Sequence, residues 1–172
     1  MRLLFIFIFS SFVILTHSQN EQNRGYKIKI GDQIPEFSVY MLDGSQLTSK
    51  DLLGKITVIQ FTGSWCSVCR REMPELEKKV WQEFQNQDFL LLGIDTKEPI
   101  EKVTPFIKKM EVTYPIALDP EGKIFSKFTV EGAGVTRNIV IDKNGKVVFL
   151  TRLFEKEEFN AMVDTIKQLL SN

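Results

Sequence analysis

The chain has 172 residues, 43% of them hydrophobic, which suffices for one domain with a sizeable core. Its 22 basic and 22 acidic residues cancel, so composition gives no electrostatic ground for nucleic acid or an anionic membrane as partner. Two cysteines and a single histidine, His17, leave too few ligands for a structural zinc centre.

Leu3 to Leu15 is an apolar run broken only by Ser10 and Ser11, with Arg2 before it and Thr16-His17-Ser18 after it. This is a secretory signal pattern over residues 1–18, with small residues placed for cleavage after Ser18. The run is shorter than the roughly 20 residues of a spanning helix, although retention as an N-terminal anchor is an alternative to cleavage. No cysteine follows it for lipid attachment. Residues 19–29 are polar and read as a loose leader, and residues 30–172 as one folded domain.

Ile34 to Met41 reads as a strand, Asp43-Gly44 as a turn and Gln46-Leu47-Thr48 as its return, together a hairpin. Ile56 to Phe61 is a β-branched, apolar run of the kind buried on both sheet faces. A helix follows, with Cys69, Met73, Leu76, Val80 and Phe84 at helical spacing along its buried face and Pro74 predicted to kink it. Phe89 to Asp95 is a second core strand, parallel to the first because a helix connects them. Pro99 to Glu111 reads as a helix that Pro105 bends or delays, Pro115 to Asp119 as a short strand and Glu121 to Phe128 as a short helix. Asn138 to Asp142 and Lys146 to Thr151 flank the hairpin signal Asn144-Gly145, and Glu155 to Leu170 closes the chain as an amphipathic helix. The order predicts an α/β fold, a central mixed sheet flanked by helices with a hairpin at its N-terminal side.

The chemistry concentrates in Trp65-Cys66-Ser67-Val68-Cys69, where a strand gives way to a helix. Two cysteines separated by two residues close a disulfide with little backbone movement, and the helix N-terminus stabilises one of them as a thiolate. A purely structural disulfide closing so short a loop gains little chain entropy. Half a zinc site lacks its other ligands, because His17 lies in the segment expected to be removed. Redox exchange is the reading that uses this placement.

Trp-Cys-x-x-Cys at the end of the first core strand, with Pro74 five residues after Cys69, resembles the thioredoxin fold. More narrowly, Gly31, Pro35, Phe37, Asp43-Gly44, Leu53-Gly54-Lys55, Glu72-Met73-Pro74 and Asp142-Lys143-Asn144-Gly145 resemble the TlpA/ResA-like thiol-disulfide oxidoreductases of bacterial envelopes, within the AhpC/TSA-redoxin superfamily. The resemblance implies that Cys66 is the exposed attacking cysteine and Cys69 the buried resolving one. It places Glu72 where that branch carries an acidic residue beside the dithiol. Helical spacing puts Glu72 next to the buried face, where desolvation raises a carboxylate's pKa and fits it for proton exchange. The competing reading is a surface glutamate paired with Arg70 or Arg71. Thioredoxins carry a buried aspartate where this chain has Gln60, which cannot titrate.

One departure stands out. Thr136 occupies the place of the family's cis-proline opposite the dithiol, in Gly134-Val135-Thr136-Arg137-Asn138. A cis bond before a residue other than proline costs about 3–4 kcal/mol, yet strain persists at active sites, so a cis Val135–Thr136 bond is expected over a trans bond in a reshaped loop. The resemblance further implies substrate binding by the Val135 backbone, with Thr136 and Trp65 beside it; core packing is the competing reading for Trp65, and Arg137 is equally readable as a charge-assisted contact near the site or as a solvated loop arginine. Trp81 is assigned to helix packing.

These readings combine into an exported protein disulfide reductase of the periplasm or outer face of the envelope. It acts on disulfide-containing proteins as a monomer and needs no organic cofactor or metal, and the resemblance implies electrons from a membrane-embedded thiol donor. Two rival readings compete with this one. A thiol peroxidase of the peroxiredoxin type would place proline at Ile59 and threonine or serine at Gly63. A Cu(I)-binding module would use the two thiolates alone.

Overall fold

The computed structural model describes residues 24–171. The expected signal segment and the first residues of the polar leader, up to residue 23, lie outside the described residues.

Strand β3 (Ile56–Thr62) is buried along its whole length, as its β-branched run requires. It pairs in parallel with β4 (Phe89–Thr96) and antiparallel with β6 (Arg137–Ile141). Strand β5 (Ile116–Asp119) runs parallel beside β4, and β7 (Val147–Leu150) antiparallel beside β6. The hairpin of β1 (Ser38–Met41) and β2 (Gln46–Thr48) joins the other edge through an antiparallel β1–β5 pairing. The result is a mixed seven-stranded sheet in the order β2-β1-β5-β4-β3-β6-β7.

Helices cover both faces. Ile59 and Phe61 point to the face packed by Phe125 and Phe128 of α4 (Lys123–Phe128). Ile56 and Val58 point to the other face. There they meet α1 (Ser67–Leu76), α2 (Gln82–Phe84), α3 (Ile100–Met110) and α5 (Lys156–Leu170) through Met73, Leu76, Phe84, Val103, Phe159 and Met162. The period of two along β3 therefore also turns Gln60 and Thr62 toward α1.

Pro74 stands inside α1, and the turn that follows, Glu77–Trp81, has π-helical spacing before α2 resumes the α pattern. A missing donor and a π turn are both ordinary ways for a helix to depart from a straight α course. Helix α3 begins at Ile100 with Pro105 inside it, so of the two effects expected of that proline, a bend or a delayed start, the delayed start is absent. The part of the leader within the described residues is tied to the fold: Tyr26 bridges to Thr129, Lys27 N–H donates to Phe128 O at 2.9 Å, and Arg24 pairs with Glu158 at 2.6 Å.

Candidate active site

Cys66 sits at the corner where β3 hands over to α1. Its N–H donates to Gly63 O at 3.0 Å, and as the residue capping α1 its sulfur accepts the Cys69 N–H at 3.2 Å. Both cysteines are free thiols. Cys66 keeps 9% of its surface and Cys69 none, so Cys66 is more recessed than the exposed nucleophile the resemblance implied. A helix N-terminus aims its unpaired N–H groups and positive dipole end at this first sulfur. Burial pushes the Cys69 thiol up to about 12, the hydrogen bond with Cys66 adds to that, and the hydroxyls of Thr136 and Thr62 oppose it.

The corner itself is braced by groups that sequence reasoning did not single out. Glu98, buried just past β4, accepts from Ser64 N–H at 2.5 Å and from the Ser64 hydroxyl at 2.6 Å, while Arg70 donates to Ser64 O at 2.5 Å. Nothing local in the chain marks Glu98, because its partner lies 34 residues earlier. Trp65 is 57% exposed beside Cys66. A Cβ at position 63 would come within 2.8 Å of the Trp65 indole nitrogen, so Gly63 is what lets the ring lie back over the corner.

Glu72 is 1% exposed and does not pair with Arg70 or Arg71. One oxygen accepts from Gln60 Nε2 at 3.1 Å and the other from Asn138 Nδ2 at 2.7 Å. Gln60 in turn accepts from the Tyr114 hydroxyl at 2.8 Å, in space left open by Gly93, where a Cβ would meet Ile116 at 2.6 Å. Burial raises the Glu72 pKa to about 7 against the lowering effect of the two amide donors, with a smaller upward contribution from Glu158. It lies one turn past Cys69 on the buried side of α1.

A second buried carboxylate was missed. Asp95, near the end of β4, is in register with Thr62 and has no hydrogen-bond partner for either oxygen among the described residues. Burial, then the nearby Glu98 charge, raises it to about 8.

Thr136 requires a correction. Among the described residues there is no cis peptide bond, so Val135–Thr136 is trans, and Thr136 instead takes a left-handed φ of 65°. The chain reverses there without proline because both backbone groups are anchored: Thr136 N–H donates to Phe61 O at 3.0 Å and its carbonyl accepts from Leu153 N–H at 2.8 Å. Its Oγ1 lies 3.0 Å from Cys66 Sγ and 3.0 Å from Cys69 Sγ. Val135 is buried beside it, and neither of its backbone polar groups has a backbone partner among the described residues. Arg137 turns away from the dithiol. Its guanidinium donates to Gly134 O at 2.8 Å and Arg24 O at 2.6 Å and stacks on the Tyr26 ring, which accounts for a buried arginine without a site role. Trp81 donates to Thr113 Oγ1 at 3.1 Å, away from the corner.

Comparison with known proteins gives the family and the fold. The AhpC/TSA family model matches residues 30–150. The chain is 32% identical over 122 residues to the thiol-disulfide oxidoreductase ResA of Bacillus cereus strain ZK, covering 71% of this chain and 69% of the relative. The ResA of Bacillus cereus strain ATCC 10987 matches at 29% over 147 residues, 86% of this chain and 83% of the relative. Among solved structures, a candidate protein disulfide isomerase from Bacteroides thetaiotaomicron superposes with a TM-score of 0.83 at 48% identity, covering 86% of this chain and 94% of that one. A thiol:disulfide interchange protein of the DsbE type from Chlorobium tepidum, at 22% identity and a TM-score of 0.73 over 83% of this chain and 99% of that one, shares the fold.

Proposed function

The chain belongs to the AhpC/TSA family, in its thiol-disulfide oxidoreductase branch with a thioredoxin-like fold, and from that premise we propose that it reduces protein disulfides outside the cytoplasm through Cys66 and Cys69. The observation that carries the reading is the pair of free thiols across one helical turn: the first caps the helix and keeps an opening to solvent, and the second is sealed beneath it.

In this scheme the Cys66 thiolate attacks a substrate disulfide, forming a Cys66–substrate bond and releasing one substrate thiolate. Cys69 then loses its proton and attacks the Cys66 sulfur, breaking the mixed disulfide and releasing the second thiolate. Two electrons leave the dithiol, which ends as the Cys66–Cys69 disulfide. Glu72 is the group we assign to take the Cys69 proton: a carboxylate that titrates near 7 can both accept and return a proton at neutral pH. Trp65 and the free backbone of Val135 form the docking edge, where an extended substrate segment adds by strand-like pairing. Outside the cytoplasm the oxidised pair needs a donor, which we assign to a membrane-embedded thiol protein acting on a monomer. Export rests on the apolar segment of residues 1–18.

The direction is tested by the equilibrium redox potential together with insulin reduction. Dithiols of this fold span roughly −270 to −120 mV, and a reductase is expected toward the negative end with turnover of insulin. A value near the positive end, with faster oxidation of a reduced client than reduction of insulin, would reverse the assignment.

A further inference from the structure

Thr136 does more than border a docking edge. Its hydroxyl is equidistant from the two reacting sulfurs, 3.0 Å from each, and the residue is 1% exposed, so water does not compete for it. A hydroxyl has one hydrogen to give and lone pairs to receive, and it cannot donate to both sulfurs at once. With Cys66 ionised and Cys69 still a thiol, both contacts of the hydroxyl are satisfied together when the Cys69 S–H donates to Oγ1 and the hydroxyl hydrogen is donated to the Cys66 thiolate.

The backbone conformation argues that the hydroxyl is the reason for the residue. A left-handed φ of 65° is unfavourable for a β-branched side chain and costs glycine nothing. The bonds to Phe61 O and from Leu153 N–H fix that conformation whatever the side chain is. Glycine would be the cheaper occupant, and what threonine adds is an oxygen aimed at the dithiol.

We propose that Thr136 is a catalytic residue whose hydroxyl acts as a one-hydrogen switch, donating to the Cys66 sulfur before attack and to the Cys69 sulfur during resolution. The proposal rests on the dithiol reading above. When Cys66 joins the substrate sulfur its negative charge leaves with the departing thiolate, and the hydroxyl hydrogen is released from it. As the Cys69 proton passes to the Glu72 carboxylate, the hydroxyl turns and donates to the new Cys69 thiolate. Cys69 then attacks Cys66, the second substrate thiolate departs, and Thr136 ends with the hydroxyl it began with, so no further reductant or oxidant enters. Burial is what makes the Cys69 thiolate costly, and this donor opposes that cost.

The test is the rate of iodoacetamide alkylation of Cys66 in the purified reduced protein at pH 7, read by mass spectrometry, in wild type and in Thr136→Val, Thr136→Gly and Thr136→Ser. A hydrogen bond to a charged group is worth about a tenfold change or more. Thr136→Val and Thr136→Gly are expected to slow alkylation by about that factor, and Thr136→Ser to stay within about threefold of wild type. Glycine suits the left-handed backbone, so it tests the hydroxyl even if the valine variant folds poorly. Wild-type rates in both hydroxyl-free variants, or a serine variant as slow as valine, would overturn the proposal. A wild-type Cys66 no more reactive than free cysteine would overturn the dithiol reading beneath it.

Discussion

Replacing Asp95 with asparagine should stabilise the protein, and by an amount that grows with pH. The carboxylate is fully buried, both oxygens lack partners among the described residues, and its pKa rises from 3.8 to about 8. Between those two values the folded chain holds a proton that the unfolded chain has released. Raising the pH therefore withdraws stability: the contribution is whole below about pH 4 and gone above about pH 8. A shift of that size, at about 1.4 kcal/mol per unit, sets a ceiling near 6 kcal/mol. Relaxation around a newly charged buried group reduces this to roughly 2–4 kcal/mol. Asp95→Asn removes the charge and keeps the shape. It should match wild type at pH 4 and exceed it by about that amount at pH 8.5, a gain in melting temperature of roughly 5–15 °C for a chain of this size. Glu72 also loses stability as pH rises toward 7, but it does so in both proteins and cancels in the difference. Thermal melts of wild type and variant from pH 4 to 9 give the answer. A constant difference across that range, or a variant less stable at pH 8.5, would refute the reasoning.

Two further substitutions probe the site. Glu72→Gln should slow insulin reduction at pH 7–8 by roughly tenfold or more and flatten the rise in rate through pH 7 that an ionising base produces; stopped-flow rates across pH 5.5–9 would show it, and an unchanged profile would count against the proton-transfer role. Thr136→Pro, which would restore the family's residue, is expected to cost about 3 kcal/mol or more, because proline cannot adopt a φ of 65° and lacks the N–H that bonds Phe61 O. Urea denaturation at pH 7 measures this, and a midpoint at or above wild type would show that the loop can rebuild around proline.

The parts of the fold that local pattern dictates were readable in advance. The β-branched run at Ile56 to Phe61, the helical spacing of Cys69, Met73, Leu76, Val80 and Phe84, and the Asn144-Gly145 turn are each imposed by neighbours a few residues apart, and the corresponding elements carry the buried faces expected. Helical period also set Glu72 against the buried side. Long-range partners were not readable. Whether Val135–Thr136 is cis or trans depends on Phe61 O and Leu153 N–H, neither of which local sequence places opposite Thr136. Arg137 was readable either as a contact near the site or as a solvated loop arginine, and it is neither: it is buried, with Arg24 O and the Tyr26 ring at the other end of the chain as partners. Glu98 and Asp95 are ordinary acids at the end of a strand until the fold brings Ser64 to one and leaves the other without a partner.

The central claim is that Cys66 attacks and Cys69 resolves. Its most direct test is to incubate reduced Cys69→Ser and, separately, reduced Cys66→Ser with insulin and to map by mass spectrometry any protein–insulin disulfide that survives acid quenching. The mechanism predicts a stable mixed disulfide on Cys66 in the first variant and little or none in the second. Capture through Cys69 in the Cys66→Ser variant, with none through Cys66, would contradict it.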